Sequence, residues 1–344
     1  MRAALAALAV SVGIVVPPPP LPVAAEHPEP PVLTASAWIL YDATSDVVLA
    51  SERADEERPM ASVTKVMTAL VVRERLGMRD RIRISETAAG VGESEVGLVA
   101  GERWTVRDLL YALLVRSAND AAVALAEEIG GSIAGFADLM NAKAAELGLE
   151  HSHFTNPHGL DESDHYSSAG DLAIMTRELL EDPILATMVR TGLVVFKPSP
   201  NGAARTMANT NKLLGEYPGI AGVKTGFTGR AGLVLISALE TPSRTLIGVV
   251  LGSEEHFADS RELLDFGSRL ITLEDRWNHA SLPLEGGGGE TAEASVDEAA
   301  RARLLAVRDL PDGGGTAVDL AETATGEAIA ETLRSLLPAV LGGS

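Results

Sequence analysis

The chain has 344 residues, 46% of them hydrophobic, and a formal net charge of −20. That is apolar material for one large or two modest domains, and the acidity has the wrong sign for a nucleic-acid backbone or an anionic lipid surface. The absence of cysteine excludes disulfide frameworks, cysteine-ligated zinc and thiol nucleophiles.

Arg2, the apolar residues 3–16 and the stop Pro17-Pro18-Pro19-Pro20 have the length and polarity of a signal peptide. Val23-Ala24-Ala25 offers small residues for cleavage after Ala25, so residues 1–25 predict an exported, extracytoplasmic protein. A Pro-rich lead-in covers 26–33. Residues 37–41 and 47–50, separated by polar turn residues 42–46, predict a β-hairpin. A helix is predicted over 62–76, with Val66, Ala69, Leu70 and Val72 buried and Gly77 closing it. Residues 105–129 read as helices whose core positions include Leu109, Leu110, Leu113, Leu114, Val123, Leu125 and Ala126, broken by Gly130-Gly131. A further amphipathic helix covers 136–147, and Ser167 or Ser168 caps another through 171–180.

Past Gly192 the pattern becomes strands, at 194–196, 219–226, 232–238 and 245–251, followed by a last helix over 260–270. Strands at both ends and helices between them predict an α+β fold over 34–272, with one sheet built from the two chain ends. The region 273–344 is acidic and Ala-rich, with a linker signal at Gly286-Gly287-Gly288-Gly289 and no legible function. Its segment 328–341 is too short to span a bilayer and lacks a basic face, so it gives no ground for a membrane tether.

Three motifs stand in order: Ser62-Val63-Thr64-Lys65, Ser117-Ala118-Asn119 and Lys224-Thr225-Gly226. Together they supply the parts of an acyl-transfer site. Three positions apart on a helix, Ser62 and Lys65 project from one face. A serine hydroxyl needs a base to become a nucleophile. A lysine serves if desolvation and a second cation keep it neutral, and Lys224 is the candidate second cation for Lys65. Ser117 is placed to relay a proton to a leaving amine, and Asn119 to hydrogen-bond Lys65 and a substrate amide. On a strand edge, Lys224 and Thr225 suit a carboxylate, and Gly226 leaves backbone bare for an extended substrate. The N–H groups of Ser62 and Phe227 are the candidate oxyanion donors. Each motif alone recurs by chance; Ser199-Pro200-Asn201 repeats the second in a Pro/Gly loop and is discounted.

With these motifs the chain resembles the low-molecular-mass penicillin-binding proteins, the serine D-alanyl-D-alanine carboxypeptidases. Pro59-Met60-Ala61-Ser62-Val63-Thr64-Lys65, Ser117-Ala118-Asn119-Asp120, Asn156-Pro157-His158-Gly159-Leu160 and Lys224-Thr225-Gly226-Phe227-Thr228 carry the resemblance, over roughly 34–272. It implies the serine β-lactamase/DD-peptidase fold, an antiparallel sheet flanked by helices with a helical subdomain. It implies Ser62 as the acylated nucleophile and Lys65 as base. The implied partners are the D-Ala-D-Ala end of a peptidoglycan stem peptide and the β-lactams that mimic it. One departure concerns the carboxylate side. Some relatives carry an arginine upstream of the strand, where this chain has Asn209-Thr210-Asn211; Arg205, Arg230 and Lys212 are candidate replacements.

Three other readings compete. A class A-like β-lactamase needs a loop carboxylate of the E-x-x-L-N type, and Glu178-Leu179-Leu180 lacks the Asn. A metallopeptidase would use His151, His153, His158 and His165 with Asp161 and Asp164, yet there is no H-E-x-x-H pair. No metal or other cofactor is therefore implied, and His158 is expected to brace its loop. A non-catalytic cell-wall binding protein would take up no penicillin covalently.

Overall fold

The structure, a computed structural model, describes residues 28–196 and 205–280. The predicted signal peptide, the stretch Ser199-Pro200-Asn201 and the region after Ala280 lie outside the described residues.

The chain begins with the hairpin β1 (Ala37–Asp42) and β2 (Val47–Glu52). Asp42 makes its turn, its carboxylate accepting from the Thr44 and Ser45 amides at 2.9 and 3.2 Å. A 3₁₀ turn, Ala61–Thr64, leads into α1 (Lys65–Arg75). Next come β3 (Arg81–Arg83), α2 (Glu86–Ala89), β4 (Arg103–Thr105) and α3 (Val106–Tyr111). After a π turn at Ala112–Arg116, α4 (Asn119–Gly130), α5 (Ile133–Glu146), α6 (Ala169–Glu181) and α7 (Pro183–Arg190) complete the helical part. The short pair β5 (Leu193–Phe196) and β6 (Arg205–Ala208) precedes the long strands β7 (Ile220–Thr228), β8 (Gly232–Glu240) and β9 (Thr245–Ser253). The last element is α8 (His256–Ala280).

One five-stranded antiparallel sheet, in the order β2-β1-β9-β8-β7, joins the two ends of the chain: β1 pairs with β9, Leu40 facing Gly248. This is the α+β architecture expected from strands at both ends. The central strands β8 and β9 read as near-continuous apolar runs because both their faces are covered. On one face α8 packs Leu263, Leu264 and Phe266 against Leu40, Leu235 and Leu246. The other face and the helical part share a larger core around α1, whose residues from Lys65 to Val72 are all buried. A helix buried all round is the hub of its fold. Thr34 ties the start of this unit to its end, its hydroxyl donating to Asp259 at 2.7 Å.

The structure departs from expectation at several places, and β3, α2 and β4 lie in a stretch where the sequence predicts no element. Helix α7 has no counterpart among the predicted elements, although Asp182 caps it and Pro183 occupies its first turn. Strand β6 pairs Arg205–Ala208 with the anticipated β5. Helix α8 spans His256–Ala280, longer at both ends than the predicted helix over 260–270.

Candidate active site

Ser62 lies in the 3₁₀ turn, partly exposed, while its neighbours Ala61, Val63 and Thr64 are buried. Ala61 holds a positive φ of 50°, a conformation that costs a non-glycine residue and persists only where its surroundings impose it. Those surroundings are visible. Gly159 packs directly on Ala61; a Cβ there, at φ +91°, would fall 1.9 Å from the Ala61 carbonyl oxygen. The Thr64 hydroxyl donates to that same oxygen at 2.8 Å. Replacing Gly159 by Ala is expected to lower stability by about 1–3 kcal/mol and to displace the Ser62 turn. Urea denaturation beside penicillin acylation measures both effects.

Lys65 opens α1 and is fully buried. Its Nζ lies 2.9 Å from Ser62 Oγ, 2.9 Å from Asn119 Oδ1 and 2.6 Å from the His158 carbonyl oxygen. Burial pushes its pKa well below 10.5 and the Lys224 charge pushes the same way, against a weaker pull from Glu93 and Asp120. A neutral amine has two N–H groups and one lone pair. Two carbonyl oxygens and one hydroxyl match that set, with the lone pair left for the Ser62 proton.

The second motif arrives by unusual backbone. The π turn ends at Ser117, whose φ of 68° and ψ of 33° are left-handed. Chain reversal here puts Asn119 at the start of α4, its Oδ1 on Lys65 and its Nδ2 on the Gly92 carbonyl at 3.3 Å. Asp120, almost fully buried, accepts from the Val96 and Leu98 amides at 3.1 and 2.9 Å. It thereby holds the 92–98 loop over the start of α4. The buried Ser117 hydroxyl has no hydrogen-bond partner among the described residues. Buried polar groups are seldom left unpaired outside functional sites.

The third motif lies on β7, an edge of the sheet. Lys224 is buried, and its Nζ donates to the Thr225 carbonyl at 2.8 Å. Among the described residues no carboxylate pairs with it, and burial lowers its pKa to about 7. Gly226 packs against the nucleophile turn; a Cβ there would lie 2.9 Å from the Ser62 nitrogen. That close approach, as well as a bare strand edge, is what the glycine permits. Phe227 is 66% exposed.

The histidine-rich loop supports this arrangement from behind. His158 and His165 are buried, with pKa values lowered to about 3 and about 4, chiefly by burial, so both are neutral near pH 7. His165 Nδ1 accepts from the Thr155 amide at 3.1 Å, which leaves its Nε2–H to donate to Thr64 Oγ1 at 2.8 Å. The Thr68 hydroxyl donates to the Pro157 carbonyl at 2.6 Å. Among the described residues no group of three or more His, Asp or Glu side chains is placed to hold a metal ion.

On the carboxylate side, Arg205 is committed to Glu102, at 3.2 and 3.3 Å, and lies over the Trp104 ring. Lys212 lies over the Phe257 ring, and the Arg230 guanidinium donates to the Glu162 carbonyl at 2.9 Å. In the 209–211 stretch the Thr210 hydroxyl shares a 2.6 Å hydrogen bond with that of Thr225. Glu178 sits beside Lys143, with Glu74 and Glu146. From the sequence, Thr64, Asp120 and Gly159 are read only as members of their motif blocks and His165 only as a candidate metal ligand; their supporting contacts come from the fold.

A family model described as D-alanyl-D-alanine carboxypeptidase matches residues 24–255. The D-alanyl-D-alanine carboxypeptidase DacF of Bacillus subtilis is 39% identical over 240 residues, 67% of this chain and 61% of the relative. DacD of Escherichia coli, of the same description, is 35% identical over 261 residues, 71% of this chain and 66% of the relative. The chain thus spans less than two thirds of the length of these curated relatives. Among solved structures, penicillin binding protein 6B of Escherichia coli is 35% identical with a TM-score of 0.65, covering 71% of this chain and 80% of that one. The Streptomyces K15 DD-transpeptidase is 30% identical with a TM-score of 0.67, covering 70% of this chain and 99% of that one.

Proposed function

The chain belongs to the D-alanyl-D-alanine carboxypeptidase family, with the fold of the penicillin-binding proteins, and from that premise we infer that it is a serine carboxypeptidase removing the terminal D-alanine from peptidoglycan stem peptides. The observation that carries the inference is the buried Lys65 amine, 2.9 Å from Ser62 Oγ and held by two carbonyl oxygens. In this reading Ser62 Oγ attacks the carbonyl between the two D-alanines while its proton passes to the Lys65 lone pair. The tetrahedral oxyanion sits against the Ser62 and Phe227 amides. The proton then reaches the leaving amine through the Ser117 hydroxyl, the C–N bond breaks and D-alanine departs. Water enters by the same proton route in reverse, and the ester is hydrolysed to the shortened peptide. The substrate carboxylate is the counter-charge that Lys224 lacks, with the Thr225 hydroxyl beside it. Penicillin, entering as a mimic, stays on Ser62. A wall substrate and the leader sequence together support an extracytoplasmic location, with cleavage after Ala25. No helix among the described residues is long and apolar enough to cross a membrane.

The test is direct: purified protein releases D-alanine from a D-Ala-D-Ala-terminated peptide and gains the mass of one penicillin. Absence of both results would overturn the reading. Rapid, sustained penicillin hydrolysis would instead favour a β-lactamase.

A pH dependence follows from the two lysines. Carboxylate binding needs charged Lys224, and that charge is lost as pH rises through about 7 in the free protein. A bound carboxylate favours the charged form and moves this loss upward. We therefore expect kcat/KM to fall above about pH 7 while kcat holds to higher pH. Lys224→Gln should raise KM and remove that limb, which steady-state profiles of both proteins would check.

A further inference from the structure

Beyond the three motifs, a second connection bridges the two walls of the cleft. The Thr228 hydroxyl, at the end of β7, donates to Asp161 Oδ1 at 2.8 Å. The Arg230 amide, in the β7–β8 turn, donates to Asp161 Oδ2 at 3.2 Å. The Arg230 guanidinium donates to the Glu162 carbonyl at 2.9 Å. On the other side, Asn156 Nδ2 donates to Glu162 Oε1 at 3.1 Å, and its Oδ1 accepts from the His158 and Gly159 amides at 3.2 and 2.7 Å. His158 carries the carbonyl that holds Lys65. A short path of hydrogen bonds therefore runs from the strand end next to Phe227 to the acceptor of the candidate base.

The three bonds from Thr228 and Arg230 to Asp161 and Glu162 are exposed, and exposed bonds of this kind contribute little to stability. Their consequence is geometric. Strand β7 is an edge, paired on one side by β8; Gly226 packs on the Ser62 turn and Ala231 is buried in the core, and between them Thr228 and the Arg230 amide meet Asp161. Reading β7 from Thr225 to Phe227 passes from the carboxylate subsite to the scissile carbonyl. The part of the substrate before the scissile bond consequently continues toward Thr228 and Arg230.

Resting on the proposed acyl transfer, we propose that Asp161 is a positioning residue. It fixes the distance between the oxyanion end of β7 and the loop that orients Lys65, and so keeps the mouth of the cleft on the acyl side at its working width. Misplacement of about 1 Å in such a site costs up to about 100-fold in rate.

The test compares the second-order rate of penicillin acylation in wild type, Asp161→Ala, Thr228→Val, Thr228→Ser and the double variant Asp161→Ala/Thr228→Val. Asp161→Ala and Thr228→Val are each expected to slow acylation about 10-fold or more. The double variant should be no slower than the worse single, because the Thr228 bond is one of the two that Asp161→Ala already removes. Thr228→Ser, which keeps the hydroxyl, should acylate as wild type, and melting temperatures should stay within a few degrees throughout. Wild-type rates in both Asp161→Ala and Thr228→Val would overturn this proposal while leaving the proposed function intact. A wild-type protein that takes up no penicillin would overturn the function and this role together.

Discussion

Ser62→Ala folds as the wild type does, takes up no penicillin, and releases D-alanine slower by a factor on the order of 10⁶, the scale seen when the nucleophile of a serine hydrolase is removed. The expectation rests on the absence of a substitute. Ser62 is the partly exposed member of an otherwise buried turn, and its hydroxyl is the one that meets Lys65. Ser117 is the other hydroxyl of the motifs, but among the described residues it has no hydrogen-bond partner, so no base meets it as Lys65 meets Ser62. The loss should fall on bond formation and leave the fold alone. Intact mass spectrometry of wild type and variant after penicillin, beside their melting curves, would check this. A covalent adduct of undiminished yield on the alanine variant would move the nucleophile elsewhere.

The second large effect is at Lys65. Lys65→Arg keeps a cation at the site but loses acylation by about 10²–10⁴-fold, the usual contribution of a general base. Guanidinium stays protonated across the working pH range and offers no lone pair. The neutral Lys65→Met loses the base as well, so both variants fail although their charges differ. If charge near the hydroxyl were what mattered, the arginine would retain activity and the methionine would not. Stopped-flow penicillin acylation of both, with melting curves to confirm folding, separates the two ideas. Near-normal acylation by Lys65→Arg would remove the lysine from the base role.

Much of this was legible in the chain, for stated reasons. The serine and lysine of the first motif are three apart at a helix start, and the apolar stretch behind them has the period of a buried helix. The sheet could be anticipated because its strands bracket the helices. Less visible was anything created by contact across long sequence distance. The strain at Ala61 is imposed by Gly159, nearly a hundred residues later. The π turn that aims Ser117 and Asn119 lies at Ala112–Arg116, inside the first of the two helical stretches that the sequence places on either side of an inter-helix turn at Ser117 and Asn119, since its residues have ordinary helical propensity. Asp120 looks like a first-turn helix residue, and only the folded 92–98 loop reveals what it holds. Arg205 looks like a free cation until β6 brings it to Glu102 and Trp104. Helix α7 is a different case: Asp182-Pro183 is a local cap signal that was there to be read.

The account depends on an amine that stays uncharged beside a hydroxyl at neutral pH. The sequence has only five lysines, Lys65, Lys143, Lys197, Lys212 and Lys224, so selective carbon-13 labelling of lysine side chains gives a sparse NMR spectrum. The Lys65 signal is assigned by its loss in Lys65→Arg and followed against pH. We predict that it reaches the position of the neutral amine well below the pH range in which an ordinary lysine titrates. A Lys65 signal still fully charged at about pH 9, titrating near 10.5 like a solvent-exposed lysine, would contradict the mechanism at its base.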